Sequence, residues 1–490
     1  MKRTRILSCL LIALLLLTNS CASTSEPTES QDSSSDTTAV TEDSLSLEDE
    51  RQLVDDGLPE RDYNGAEFTI TVNDFDQTLF FSEELTGDLL SDIIYERNRA
   101  VEERFNVNFN FFVETYGNLN GIVRTSVLAG DDEYQLLTQH MLQADSWVLS
   151  EILLNWYDIP YVDFEKPWWG ESNINDLTYH DAAFLALGDF SLSTIGRTYS
   201  IYFDKVQAEA YQLPDLYELV YDGGWTIDKL SEFSKDVYTD LNNNGTRDFE
   251  DFYGYSTSVA SNIGAYLWAF GEKIIEDGEL VLDVGKTTDI IEKLIEVTQV
   301  NPGTFYDPNY KNAEGNLHYA GIEKLAAGTT MFASSLISFG ITYMRDAQND
   351  YGIIPYPKWD EAQEDYITIV DGGCPAICVP KSVADPEMSG IIAEALCAET
   401  YKNVIPDYYG LVLKEKGVRD EESFEMIDFI ISKRVYDFGY IYDNWKGFGF
   451  TLEALVKEGN ANFASYYASN ESAKMAEYDK MFAVFENYGK

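Results

Sequence analysis

The chain has 490 residues, and its 85 acidic against 34 basic residues leave a formal net charge of −51. Nucleic acids and anionic lipid surfaces are held by clustered Lys and Arg, so this charge excludes both as direct partners. With 45% hydrophobic and 14% aromatic residues the chain buries a large core, and at roughly 100–200 residues per domain it accommodates about two to four units.

Lys2, Arg3 and Arg5 open the chain, and an apolar run from Ile6 to Leu17 follows, interrupted by Ser8 and Cys9. The run is too short to span a bilayer and matches the central region of a secretory signal. Leu17-Thr18-Asn19-Ser20-Cys21 resembles a bacterial lipobox. The resemblance implies that residues 1–20 are removed and Cys21 is lipidated, anchoring the chain outside the cytoplasmic membrane. Two acyl chains hold stably, since each buried methylene contributes about 0.8 kcal/mol. Residues 22–50 carry thirteen Ser or Thr and nine acidic residues, with no basic or aromatic residue. Such a segment buries too little apolar surface to offset its ordering entropy, so residues 21–60 are predicted to be a disordered tether.

Globular composition begins near Gly65. Phe68, Ile70 and Val72 alternate as a strand; Leu89, Leu90, Ile93, Ile94, Arg97 and Val101 recur at helical spacing; Val107, Phe109, Phe111 and Val113 alternate again. That is a strand–helix–strand unit, the opening of an α/β sheet. Helices are predicted from Thr226, as N-cap, to Tyr238, and from Thr287 to Gln299, the latter ending at Asn301-Pro302-Gly303. Two more are predicted from Pro386 to Tyr401 and over residues 473–487.

The sharpest local motif spans Asp240 to Asp251. With Asp240 at position 1, oxygen donors fall at 1, 3, 5, 9 and 12 as Asp240, Asn242, Asn244, Asp248 and Asp251, and Thr246 offers its carbonyl at 7. Gly245 stands at position 6, where a hard cation's loop turns sharply. The pattern points to a structural Ca2+ site with half of an EF-hand's surroundings, although Asn-rich loops also form plain turns. Cys374 and Cys378, if extended, lie about 13 Å apart, too far to bridge. With Cys397 they are expected to be buried free thiols, Cys397 pairing with one of them only if its helix packs over their strand. No GxSxG elbow, HExxH, P-loop or dinucleotide fingerprint occurs. A non-enzyme is expected; a secreted glycosidase or lyase and a surface adhesin are the alternatives.

The order of further segments carries a resemblance. Ala183–Leu192 is followed by Tyr202-Phe203-Asp204-Lys205, Leu213-Pro214-Asp215-Leu216-Tyr217 and Gly223-Gly224-Trp225-Thr226-Ile227-Asp228. Then come Gly328-Thr329-Thr330-Met331-Phe332, Gly352 to Lys358, Val379-Pro380-Lys381 and Pro406-Asp407-Tyr408-Tyr409. The series is similar to the extracellular solute-binding proteins of ABC importers, family 1, in the lipoprotein form of Gram-positive anaerobes, over roughly residues 60 to 490. The resemblance implies a two-lobed, periplasmic-binding-protein-like (type II) α/β fold that closes by a hinge on a sugar or oligosaccharide. It implies a monomer that delivers its cargo to a membrane permease. Residues 61–187 and 330–381 would form the first lobe, and 188–329 and 382–490 the second. Sugar rings present apolar faces and hydroxyl edges, so aromatics with amide and carboxylate partners are the expected lining. The candidates are Gln139, His140, Trp147, Trp168, Trp169, Tyr199, Asn262, Trp268, Asp371 and Trp445. Trp169 and Trp268 fit a core as well as a cleft, and His140 fits a local structural role.

Overall fold

The computed structural model describes residues 47–258, 260–311, 319–413 and 421–490. The leader, Cys21 and the tether up to residue 46 lie outside that set. Among the described residues no helix is long and apolar enough to cross a membrane. Residues 47–60, expected to belong to the disordered tether, include a helix, α1 (Leu47–Gln52). Arg51, the first basic residue after the leader, explains this: its guanidinium pairs with Asp428 at 3.1 Å and lies 4.5 Å over the Tyr401 ring.

The predicted strand–helix–strand unit is present. β1 (Ala66–Asn73) pairs in parallel with β2 (Val107–Glu114), in a register that sets Phe68 against Phe109, Ile70 against Phe111 and Val72 against Val113. A four-residue helix, α2 (Gln77–Phe80), follows β1. The long crossover is α3 (Leu89–Phe105), whose first turn is capped by Asp88 accepting from the Ser91 amide. Its inner face buries Ile94, Val101 and Phe105 completely, and each such side chain contributes roughly 1.5–3 kcal/mol. After α4 (Tyr116–Ala129), β3 (Leu136–His140) joins β1 in parallel and leads into α5 (Met141–Leu149).

The chain then leaves this sheet through Ala183–Thr198 and enters a second one at β4 (Tyr199–Asp204). The second sheet also holds β5 (Tyr238–Thr239), β6 (Phe252–Thr257) and the strands Thr304–Tyr306, Thr330–Leu336 and Tyr351–Ile354. The expected assignment of residues 330–381 to the first lobe is therefore corrected. Thr330–Leu336 lies between β4 and β6, and only Pro375–Cys378 rejoins the first sheet, antiparallel to β3. Two segments thus cross between the sheets side by side, bridged at Ala186 to Ile377 and at Thr198 to Val370. The Pro386–Asn403 helix, expected in the second lobe, packs on α3 of the first.

Two helices differ in extent from their predictions. The first, capped by Thr226, runs over Ile227–Ser234 only. The second starts at an unforeseen cap, Asp283, and covers Val284–Ile295 before a wider turn over Glu296–Val300. The terminal helix is longer, Phe463–Asn487, and it packs on both Val284–Ile295 and α5.

Candidate functional site

Ligand sites in open α/β sheets gather beyond the carboxyl ends of parallel strands. At the end of β1, Asn73 donates its amide to Asp76 (2.9 Å), holding the Asp76 carboxylate beside the end of β3. His140, the last residue of β3, brings Nε2 within 2.9 Å of the same Asp76 oxygen. The other oxygen accepts from Arg197 at 3.1 Å, and Arg197 stands two residues before β4 of the second sheet. The Arg197 guanidinium also reaches Asp371 at 3.6 Å. Asp371 itself accepts from the Tyr199 hydroxyl at 2.5 Å and the Gly373 amide at 2.9 Å. One polar network therefore joins both sheets and a segment crossing between them.

The electrostatics follow from burial and pairing. Burial opposes ionisation of Asp76, yet His140 and Arg197 hold its carboxyl below the usual range. Burial, with Asp371 beside it, pushes the Tyr199 phenol well up. Burial and then Asp371 push Glu453, on the Thr451–Lys457 helix, to about 7.

Aromatics continue the site. Trp268 donates to Asp437 (2.7 Å) and packs 4.9 Å from Tyr440, whose hydroxyl accepts from the Gly372 amide. Tyr440 leads to Phe450, and Phe450 stacks flat on Trp445, with centroids 4.8 Å apart and planes 6° apart. Trp445 is 53% exposed and is tied by its indole N–H to the Leu142 carbonyl at the start of α5. Behind it, one Asp443 oxygen accepts from the Trp445 amide (2.7 Å), while the second Asp443 oxygen and one oxygen of Asp145 are buried without partners. Burial, then the neighbouring Asp443, pushes Asp145 to about 7, and burial pushes Asp443 to about 7 as well.

His140, Tyr199 and Asp371 are thus brought into one network, with Trp268 and Trp445 on the adjoining aromatic row. Asn262 is buried, its amide nitrogen donating to the Ser334 carbonyl and its oxygen without a partner. Tyr199, Trp268 and Asn262 are themselves buried, and four further predicted residues are buried on partners of their own outside this network. Gln139 is fully buried and donates to Asn120 (3.1 Å), and Trp147 gives its indole N–H to the Asn120 carbonyl. Trp168 and Trp169 donate to the two oxygens of Glu394 (2.8 and 2.7 Å) inside the first sheet's core. The crossing segment passes so close there that a Cβ on Gly188 would lie 2.5 Å from the Cys397 sulfur and 2.8 Å from the Trp169 ring. Sequence reasoning missed Asp76, Arg197, Tyr440, Phe450 and Glu453. Arg197 carried a usable signal, as the lone charge between Ser191 and Phe203.

The Asp240–Asp251 loop turns on Gly245. Gly245 takes φ +72° and its amide donates to Asp240, while Asn242 and Asn244 accept from the amides of Asn244 and Thr246. Asp251 is fully buried, and one Asp240 oxygen is buried without a partner. The side-chain amides of Asn242 and Asn244 instead donate to Asp248. Among the described residues, no three His, Cys, Asp or Glu side chains converge as a metal-binding group. The donor types fit Ca2+; the loop is closed by its own hydrogen bonds. Cys374, Cys378 and Cys397 are free, buried thiols. A separate cavity of about 430 Å3 lies between Val484–Lys490 and Val148, Glu151 and Leu153. Its lining includes none of Asp76, Arg197 or Asp371.

No protein-family model matches the chain, and no curated protein matches its sequence. Solved structures do match. A Thermotoga lettingae ABC-transporter solute-binding protein bound with α-D-tagatose is 13% identical with a TM-score of 0.50, over 86% of this chain and 100% of that one. A Rhizobium etli sugar transporter in an open conformation is 14% identical with a TM-score of 0.53, over 86% and 100%. Mycobacterium tuberculosis UgpB in complex with glycerophosphocholine is 12% identical with a TM-score of 0.51, over 86% and 98%. At such identities the likeness concerns architecture, and by that measure this chain has the two-lobed, periplasmic-binding-protein-like α/β fold.

Proposed function

We propose that the chain is the extracellular receptor of an ABC importer, binding a sugar or oligosaccharide between its two sheets and passing it unchanged to a membrane permease. The observation that carries this reading is the Asp76–Arg197–Asp371 network, which draws on both sheets and lies beside the Trp445–Phe450 stack. A carbohydrate needs such a combination: donors and acceptors for hydroxyls, and a flat ring for its C–H face. Closure on a ligand requires contacts made better in the closed form, and residues from both sheets can supply them. The tagatose-bound neighbour from Thermotoga lettingae and the Rhizobium etli sugar transporter share this architecture and support the sugar reading.

The chain acts as a monomer tethered at Cys21 to the outer face of the cytoplasmic membrane, in the manner of Gram-positive anaerobe lipoproteins. Ca2+ has a structural role in the second lobe, held by Asp240, Asn242, Asn244, Asp248 and Asp251 with the Thr246 carbonyl. Thermal-shift screening against mono- and oligosaccharides, followed by chromatography of the mixture, tests the receptor role. Stabilisation with the sugar unchanged is expected. Product formation would replace the reading with an enzyme, and no response to any sugar would sink it. Labelled palmitate incorporated into wild type but not Cys21→Ala tests the anchor.

A further inference from the structure

We propose that the site takes an uncharged polyhydroxyl ligand and rejects solutes bearing carboxylate, sulfate or phosphate, with Asp371 as the residue that enforces the choice. The inference rests on the receptor reading above and narrows its ligand class. An anion-binding site needs a cation with donors to spare. Arg197 is a cation at the junction of the two sheets, and it already faces two carboxylates, Asp76 at 3.1 Å and Asp371 at 3.6 Å. An anion would have to displace one of them or sit against both.

The reachable atoms favour a diol instead. Of the ion-paired side chains, Arg197 is 26% exposed, Asp371 20% and His140 12%, whereas Asp76 is 3% exposed. A ligand therefore meets a donor and an acceptor side by side: the guanidinium edge and the Asp371 carboxylate. Asp371 is fixed in place, with one oxygen on the Tyr199 hydroxyl and the other on the Gly373 amide. Adjacent hydroxyls of one sugar can donate to Asp371 and accept from Arg197 without disturbing either partner. In a partly buried site, like charges a few ångströms apart weaken binding by on the order of 100-fold or more.

The test is calorimetry on the leaderless chain with matched probes: galacto-oligosaccharides against oligogalacturonides, and cellobiose against cellobiouronic acid. Neutral members are expected to bind and acidic partners to bind about 100-fold more weakly, or not at all. Asp371→Asn, which keeps the shape and frees Arg197, is expected to narrow that ratio at least about tenfold, with its melting temperature measured alongside as a fold control. Equal or tighter binding of the acidic probes to wild type overturns the inference and leaves the receptor reading standing. A ratio unchanged in Asp371→Asn overturns the role of Asp371. Absence of binding by both classes overturns the receptor reading and this inference with it.

Discussion

Asp145→Asn is expected to stabilise the protein at pH 8 and to do so by less than half as much at pH 5. Asp145, on α5, and Asp443, before Trp445, are 3% and 1% exposed, and each has an oxygen with no hydrogen-bond partner. Both carboxyls are pushed from 3.8 to about 7, chiefly by burial. Their folded-state values lie above the unfolded ones, so the folded protein binds more protons between about pH 4 and pH 7. Stability is then present below that window and falls as pH rises through it. At about 1.4 kcal/mol per pH unit, ionising one such group costs about 4 kcal/mol. The asparagine amide that replaces the carboxyl is itself buried and needs partners, which brings the expected gain down to about 2 kcal/mol for the single substitution. Urea denaturation at pH 5, 6, 7 and 8 reads it directly. A variant less stable than wild type at pH 8, or one with an unaltered pH slope, would refute the reasoning.

The same isosteric swap at Glu394 is expected to gain less at pH 8, although burial pushes this carboxyl to about 7 as well. Its two oxygens accept both indole N–H groups of Trp168 and Trp169, and a glutamine keeps only one acceptor, which costs about 1–3 kcal/mol; a Glu394→Gln variant stabilised as much as Asp145→Asn in urea at pH 8 would contradict this. Trp445→Ala should weaken sugar binding about tenfold in calorimetry while moving the melting temperature little, because the ring is more than half exposed. A large loss of stability would instead mark Trp445 as structural. Adding Ca2+ to chelator-treated protein should raise its melting temperature, and Asp240→Asn with Asp251→Asn should abolish the rise. No shift and no binding heat would remove the metal.

Local periodicity carried the strand–helix–strand unit, because alternation at Phe68–Val72 and helical spacing at Leu89–Val101 each encode one buried face. It failed at Thr330–Leu336, where all seven residues are buried and the strand offers no polar side to say which sheet it joins. The site was legible in part for a similar reason. His140, Tyr199 and Asp371 have the residue types a sugar site needs, but so do Trp168 and Trp169, whose partner Glu394 is more than 200 residues away. The Asp76–Arg197 pair spans 121 positions, so no short pattern could announce it. Order at residues 47–60 was overlooked because the low-complexity segment conceals Arg51, whose partners lie beyond residue 400.

Of the eight tryptophans, seven are buried or partly buried, and Trp445 alone stands more than half open to solvent. The emission of the folded protein is therefore separable by collisional quenching, with one open fluorophore over six buried rings and the partly buried Trp359. A chain so acidic attracts caesium and repels iodide, so the two quenchers should differ in efficiency at that ring. If the proposed sugar site includes Trp445, its occupancy is readable as loss of quenching at one natural side chain, without a label.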